Sequence, residues 1–220
     1  MLELPVDEAH HLLKVLRGGS GDSIEVVDAT GRLFAAELRE GRAAVVLEEL
    51  AAPDVVGTEV SLYQAVPKGG RMDLVVEKAT EVGATSIVPL LTHRGVVNPR
   101  AGKVDRWRRV AEAAARQSLR LGVPKVSEPV PFSEAVSWVG EKGVLLHNDP
   151  GIPPVEDVLR DFGAGLFVGP EGGWSEGELR LAGDAGMPLG SMGPYRLRSE
   201  TAGIVAVARA LAALENRIKH

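Results

Sequence analysis

The chain has 220 residues, of which 45% are hydrophobic, and a formal net charge of −5. This suits one large globular domain or two modest ones, and no apolar run approaches the roughly 18 residues of a membrane span. The absence of cysteine excludes disulfides and cysteine-ligated metals, and the five histidines lack metal-ligand spacing. The N-terminus has no secretory-signal pattern. We therefore expect a cytoplasmic protein with neither membrane contact nor a metal.

The first 66 residues are rich in β-strand patterns. In chain order, the sequence predicts a short helix over 7–16, strands over 22–28, 33–38 and 43–50, a hairpin turn at 29–32 and a linker over 52–57. A small antiparallel barrel is the economical arrangement of these elements.

From about residue 58 onward, strands alternate with helices. Strands are predicted over 60–66, 86–90, 144–147, 166–168 and near Leu189, and helices over 71–82, 104–121, 155–162, 175–185 and 199–218. This alternation indicates a mostly parallel sheet covered on both faces. Ser175 and Glu178 have the spacing of a capping box. The last helix is apolar nearly all round, and a homodimer interface is one natural cover for it.

Charge is distributed unevenly along the chain. Residues 1–66 hold five Lys/Arg against twelve Asp/Glu, whereas residues 94–125 hold nine against two. Arg109, Arg116 and Arg120 fall on one face of the predicted helix in the basic stretch. A solvated outer face would explain this row, but the scarcity of acids favours contact with RNA phosphates. A smaller basic cluster lies in the acidic N-terminal part: His10, His11, Lys14 and Arg17.

Two glycine-bearing segments in the last quarter would fit one small-molecule site. The first spans Gly169–Gly173 and the second Met192–Thr201, and each leads into a helix start. Glycine and proline let main-chain groups approach a ligand closely, and ligands of α/β proteins commonly lie beyond the carboxyl ends of strands. A tight turn would explain the first segment, but Glu171 inside it favours a ligand. Arg196 and Arg198 fit a phosphate grip and a local structural role about equally.

The sequence lacks a P-loop, a Gly-x-Gly-x-x-Gly after a strand and a Gly-x-Ser-x-Gly elbow. At its own motifs the chain resembles the RsmE family, the SPOUT-class methyltransferases that modify N3 of a uridine in 16S ribosomal RNA. Five ordered motifs, spread over essentially the whole chain, carry the resemblance. They are Gly169–Gly173; Met192–Thr201; Lys78–Gly83; Arg106-Trp107 with Glu112-Ala113, Gln117-Ser118, Arg120 and Val123-Pro124; and His11 with Val15-Leu16-Arg17 and Gly21-Asp22.

The resemblance implies an α/β fold: an RNA-binding PUA-like β-barrel over residues 1–66, then a SPOUT methyltransferase domain with a C-terminal trefoil knot over 67–220. It also implies S-adenosylmethionine as cofactor, a homodimer, and 16S ribosomal RNA or the small ribosomal subunit as partner. The implied cofactor-pocket residues are Leu146, His147, Gly169, Glu171, Gly172, Met192, Gly193, Leu197, Arg198 and Thr201, the first two by position alone. Tyr195-Arg196 departs from the family pattern, which has arginine and then an aliphatic residue.

N3 of uridine carries a proton and is a poor nucleophile, so the enzyme must help to remove that proton and stabilise the resulting charge. Arg198 is the first candidate for this stabilisation and Arg94 the second. Glu200 and Glu171 are candidate bases. RNA contact is expected for His11, Lys14, Arg17, Arg109, Arg116, Arg120 and Arg196. Two alternatives stay open: another SPOUT reaction such as ribose 2′-O-methylation, and a non-enzymatic ribosome-assembly or RNA-binding protein.

Overall fold

The computed structural model describes residues 1–15, 17–28, 32–51, 58–95, 99, 101–160 and 163–218. The chain divides into two units, Met1–Val55 with Leu119–Gly122, and Val56–Ser118 with Val123–His220. The first strand of the larger unit begins at Val60, ahead of the domain boundary expected at residue 66. Within the described ranges, no helix is long and apolar enough to cross a membrane.

The smaller unit is a four-stranded antiparallel sheet. Its strands are β1 (Leu2–Glu3), β2 (Ser23–Val27), β3 (Leu33–Leu38) and β4 (Ala43–Glu49), in the order β1-β4-β3-β2. Helix α1 (Val6–His10) continues as a π-helical turn over His11–Val15. This half-barrel confirms the expected PUA-like fold. Residues 29–31 of the expected hairpin turn and the whole expected linker lie outside the described residues.

The larger unit is built on a seven-stranded sheet in which every pairing is parallel. The strand order is β11-β9-β10-β5-β6-β7, and β8 also pairs with β6. The strands are β5 (Val60–Ala65), β6 (Ser86–Leu91), β7 (Lys125–Val126), β8 (Val130–Pro131), β9 (Gly143–Leu146), β10 (Ala164–Val168) and β11 (Leu189–Gly190). The helices are α2 (Met72–Val82), α3 (Lys103–Gln117), α4 (Phe132–Val139), α5 (Val155–Val158), α6 (Glu176–Asp184) and α7 (Ser199–Ile218).

Helices cover both faces of this sheet, as the alternating pattern predicted. Alternate residues of β10 enter different clusters: Leu166 and Val168 pack with residues of α2, α3 and α7, whereas Phe167 packs with residues of α4 and α6. Side chains of a strand point alternately to opposite faces, so one strand contributes to two cores. The α/β fold class is therefore confirmed.

Helix α3 is shorter than expected, which corrects the placement of Arg120. The helix ends at Gln117, the Ser118 hydroxyl donates to the carbonyl of Ala114 at 2.7 Å, and Leu119 has a left-handed backbone with φ +52°. A leucine in that conformation cannot continue a right-handed helix. Arg120 therefore does not share a helical face with Arg109 and Arg116.

Helix α5 also ends early, because Leu159 has an extended backbone. Residues 161 and 162 of the helix expected over 155–162 lie outside the described part of the chain. In the expected helix over 7–16, the same is true of residue 16.

The carboxyl ends of four neighbouring strands converge on one edge of the sheet. In the register, Val168 of β10 pairs with Gln64 of β5, and Gly190 of β11 pairs with Leu146 of β9. Both glycine-bearing segments follow strands that end at this edge. Loops that leave the same edge of a parallel sheet can surround a ligand together.

Candidate active site

A cavity of about 510 Å³ lies beyond the carboxyl ends of β9 and β10. Its size falls within the usual range for small-molecule sites. Three stretches line it: residues 146–149 from the last residue of β9 onward, residues from 168 to 174 from the last residue of β10 onward, and residues from 192 to 202 before and within α7. The two glycine-bearing segments, 169–173 and 192–201, thus meet at one cavity.

Most of the predicted cofactor residues line this cavity. Those that do are Leu146, His147, Gly169, Glu171, Met192, Leu197 and Arg198. The other three do not. The carbonyl of Gly172 accepts a hydrogen bond from Arg94 Nη1 at 3.0 Å, Gly193 lines a neighbouring cavity of about 470 Å³, and Thr201 is exposed on α7. Asn148 and Asp149 line both cavities, so the two adjoin.

The turn at 169–173 is held by a buried tryptophan that the sequence analysis did not single out as a site residue. Trp174 Nε1 donates to the carbonyl of Leu146 at 2.9 Å, so the indole ties the turn to the end of β9. A Cβ at Gly169 would lie 3.1 Å from that indole, which explains the glycine. Within the turn, the Gly173 N–H donates to Pro170 at 2.8 Å. The turn is therefore fixed from two sides.

Helix α6 begins directly after this turn with the expected capping box. The Ser175 hydroxyl accepts from the Glu178 N–H, and Glu178 Oε2 accepts from the Ser175 N–H at 2.8 Å. The other carboxylate oxygen of Glu178 accepts from the His93 N–H at 2.8 Å. The buried Glu178 thereby joins the end of β6 to the start of α6.

The second segment is bonded directly to the first. The Ser199 hydroxyl donates to the carbonyl of Gly169 at 2.7 Å, and Arg196 Nη2 lies 3.5 Å from the carbonyl of Glu171. Gly193, with φ +112°, donates its N–H to the Ser191 hydroxyl at 3.1 Å. The bonds of Ser199 and Arg196 link the two walls of the cavity, and that of Gly193 fixes the turn within the second segment.

A third element, the end of β5 with its connection to α2, contacts both segments and was missed by the sequence analysis. Gln64 Nε2 donates to the Ser199 hydroxyl at 2.9 Å, and the Lys68 N–H donates to Glu171 Oε1 at 3.1 Å. Arg71 lies between two carboxylates, 3.8 Å from Glu171 and 3.5 Å from Glu200. The available signal was Gln64, an amide near the end of a strand that is predicted to be buried.

The three catalytic candidates have different surroundings. Arg198 is exposed and lines the cavity. Arg94 is also exposed and reaches the rim through Gly172. Glu200 is only 6% exposed, does not line the cavity and faces Arg71. Of the two candidate bases, only Glu171 is among the residues that line the cavity, and its Oε1 accepts from the Lys68 N–H.

The residues expected to contact RNA are spread over both units. Lys14 and Arg17 are exposed in the smaller unit, and the side chain of His11 lies outside the described part of the chain. Arg109 and Arg116 are exposed on α3, and Arg196 is exposed beside the cavity. Arg120 is half-buried, and burial lowers the pKa of its guanidinium. Among the described residues, no group of three acidic or histidine side chains could hold a metal.

Comparisons with known proteins agree with this geometry. Residues 56–211 match the family model of the RNA methyltransferase domain, and residues 4–50 match that of the RNA methyltransferase PUA domain. The chain is 33% identical over 222 residues to ribosomal RNA small subunit methyltransferase E of Synechocystis, covering 97% of this chain and 73% of the relative. The protein of the same name from Mycobacterium bovis is 34% identical over 216 residues, covering 91% and 82%.

Two solved structures with S-adenosylmethionine bound are similar in fold. A putative methyltransferase from Legionella pneumophila has a TM-score of 0.81 and 29% identity, covering 96% of this chain and 91% of its own. Ribosomal RNA small subunit methyltransferase E of Neisseria gonorrhoeae has a TM-score of 0.79 and 29% identity, covering 98% and 91%. The similarity thus spans both units.

Proposed function

The chain belongs to the RNA methyltransferase family, and we propose on that basis that it methylates N3 of a uridine in 16S ribosomal RNA with S-adenosylmethionine as the donor. One observation carries the proposal: segments 169–173 and 192–201 enclose one cavity at the carboxyl edge of a parallel sheet. The S-adenosylmethionine complexes of proteins with the same fold support the choice of donor.

The cavity lining suits this cofactor. Leu146, Val168, Met192 and Leu197 provide apolar walls for a nucleoside base, and the backbone at Gly169 can approach it closely. Two carboxylates, from Glu171 and Asp149, line the cavity together with Arg196 and Arg198, so both the cationic groups and the carboxylate of the cofactor have residues of opposite charge nearby. When bound, the cofactor supplies an electrophilic methyl group on a sulfonium centre.

The protein's own residues must then bind the uridine and manage its proton. Arg198 lies exposed in the lining, where its guanidinium can stabilise negative charge on the uracil as the N3 proton leaves. Glu171 is the better placed of the two candidate bases because it lines the cavity, whereas Glu200 does not. Glu200 instead forms an ion pair with Arg71 outside the cavity lining. Positioning of the uracil ring by the two segments supplies much of the remaining rate enhancement.

The proposal includes the partners expected from the sequence. The PUA domain and the exposed arginines of α3 contact the RNA, and the substrate is 16S ribosomal RNA or the small ribosomal subunit. Two copies of the chain form a homodimer near the cofactor site, and the C-terminal chain forms the expected knot. Because ribosomal RNA is the substrate, the reaction takes place in the cytoplasm.

Mass mapping of small-subunit RNA tests the reaction. RNA from a deletion strain should lack one methyl group that returns when the protein is restored. Methylation at N3 blocks the pairing edge of uracil and stops reverse transcription, whereas a 2′-O-methyl group makes the next phosphodiester resistant to alkali. An alkali-resistant site would instead support ribose methylation. An unchanged methyl pattern, together with no cofactor binding in calorimetry, would support a non-enzymatic RNA-binding protein.

A further inference from the structure

A fully buried amide lies next to the cavity at the end of the central strand β5. Gln64 is 0% exposed, and its Nε2 donates to the carbonyl of Ala65 at 3.1 Å and to the Ser199 hydroxyl at 2.9 Å. Its Oε1 has no hydrogen-bond partner among the residues that the structure describes. Burying an amide with an unpaired oxygen is unfavourable, so an apolar side chain would suit the core better.

The amide is the first member of a relay between three chain segments. Gln64 donates to Ser199 at the start of α7, and the Ser199 hydroxyl donates in turn to the carbonyl of Gly169. That carbonyl belongs to the first cavity segment and Ser199 to the second. One side chain of the sheet therefore holds the hydroxyl that joins the two cavity walls.

The opposing helix leaves space for this amide. A Cβ at Gly203 of α7 would lie 2.2 Å from Gln64 Oε1, closer than any real contact allows. Glycine inside a helix is unfavourable by roughly 1 kcal/mol relative to alanine. Gly203 thus lowers the intrinsic stability of α7, and the space gained is occupied by the glutamine.

We propose that Gln64 is a positioning residue: through Ser199 it sets the separation of the 169–173 and 192–201 segments and thereby the affinity for S-adenosylmethionine. The inference rests on the proposed function, because that function assigns the cofactor to this cavity. Gln64 does not line the cavity and acts through Ser199. Its loss should weaken cofactor binding without weakening the fold.

Opposite responses of affinity and stability separate this role from a merely structural one. In the full chain, Gln64→Leu should weaken S-adenosylmethionine binding about 5- to 10-fold in calorimetry, as expected for the loss of one hydrogen bond. The melting temperature should stay level or rise, because the removal of a buried unpaired polar atom offsets the loss of the hydrogen bonds to Ala65 and Ser199. In methylation assays, the KM for the cofactor should rise by the same factor, with kcat at saturation within twofold. Gln117→Leu, at the exposed end of α3, is the matched control and should leave affinity unchanged.

Gly203→Ala is a second test, in which residue 64 remains a glutamine. In the wild-type background, the new methyl group should displace Gln64 and weaken cofactor binding. In a Gln64→Ala background it meets no amide, so it should add helix stability and leave affinity at the level of Gln64→Ala alone. This non-additivity is the signature of the proposed contact.

The outcomes distinguish failure of the positioning role from failure of the proposed function. If wild-type protein binds no S-adenosylmethionine, the proposed function fails first. If wild-type protein binds it and Gln64→Leu binds equally well, the positioning role is wrong. The positioning role is also wrong if Gly203→Ala weakens cofactor binding equally in both backgrounds. It is wrong as well if Gln64→Leu lowers the melting temperature enough that partial unfolding explains the lost affinity.

Discussion

At the scale of single residues, Tyr195 is unusual because it is a large aromatic side chain that is exposed beside the cavity. It is 80% exposed, yet it lines the cavity between Pro194 and Arg196. An exposed aromatic ring beside two arginines is typical of surfaces that stack nucleic-acid bases. We therefore expect Tyr195 to contact the RNA substrate rather than the cofactor.

Removal of this ring should affect RNA more than cofactor. Stacking of one base is worth about 1 to 3 kcal/mol, so Tyr195→Ala should lower kcat/KM for RNA on the order of 5- to 100-fold. Tyr195→Phe should retain activity within about threefold, since the ring remains. Calorimetry should give an unchanged cofactor affinity for both variants. A Tyr195→Ala protein with weakened cofactor binding and normal RNA affinity would reassign the ring.

Arg198 is the residue on which the proposed charge stabilisation depends. Loss of one donor aimed at developing charge typically lowers kcat about 100- to 1000-fold, and we expect this of Arg198→Ala in single-turnover methylation assays. Arg180→Ala, an exposed arginine on α6 away from the cavity lining, serves as the control. Activity of Arg198→Ala within threefold of wild type would remove this arginine from the mechanism.

At the scale of elements, long and strongly patterned segments could be predicted from the sequence. The helices α2, α6 and α7 and the strands around the site follow their apolar spacing and the Ser175 capping box. The two-residue strands β7 and β8 and the eight-residue α4 are too short to show a period. The end of α3 was missed because the backbone at Leu119, rather than a glycine or proline, terminates it.

Helix α5 and helix α7 are joined by a charged pair that predicts a pH dependence. Glu156 is paired with Arg209, and Arg217 Nη1 donates to the carbonyl of Leu159 at 2.7 Å. Burial raises the pKa of Glu156, but hydrogen bonds from Arg209 and the backbone outweigh it, so the pKa falls below its ordinary value of 4.5. The unfolded chain therefore binds the proton more tightly, and the stabilisation exists above that value and is lost as pH falls through the lower folded pKa.

Replacement of the Glu156 carboxylate should lower the free energy of unfolding only at pH values at which the carboxylate is ionised. At pH 7, Glu156→Gln should lower the free energy of unfolding by up to about 1 kcal/mol in urea titrations, because the pair is partly exposed. The difference from wild type should shrink as the titrations are repeated toward about pH 4 and below. The same substitution at the exposed Glu141, whose partner Arg160 is also exposed, should change stability less. A difference that is constant with pH would contradict the role of the charge.

At the scale of the whole molecule, the sequence indicated where the site is but not all that builds it. The two glycine-bearing segments lie close together in the sequence and carry recognisable motifs, so their meeting at one sheet edge could be predicted. The third element could not, because Gln64 reaches Ser199 across 135 positions and Lys68 reaches Glu171 across 103. Such contacts depend on strand order, which apolar spacing alone does not determine.

Tryptophan fluorescence can test whether the cofactor binds to the larger unit. Trp107, Trp138 and Trp174 all belong to the larger unit, so their fluorescence reports the unfolding of that unit. A ligand that binds only the folded state at about 100 times its Kd adds about 2.7 kcal/mol, which should raise the fluorescence-detected melting temperature on the order of 5 to 10 °C. Adenosine at the same concentration is the control and should shift it less, because it lacks the amino-acid part with its sulfonium, which we expect to bind the charged residues of the cavity. If calorimetry shows that S-adenosylmethionine binds and the fluorescence transition still does not shift at saturation, the cofactor binds outside the larger unit and the assignment of the cavity is wrong.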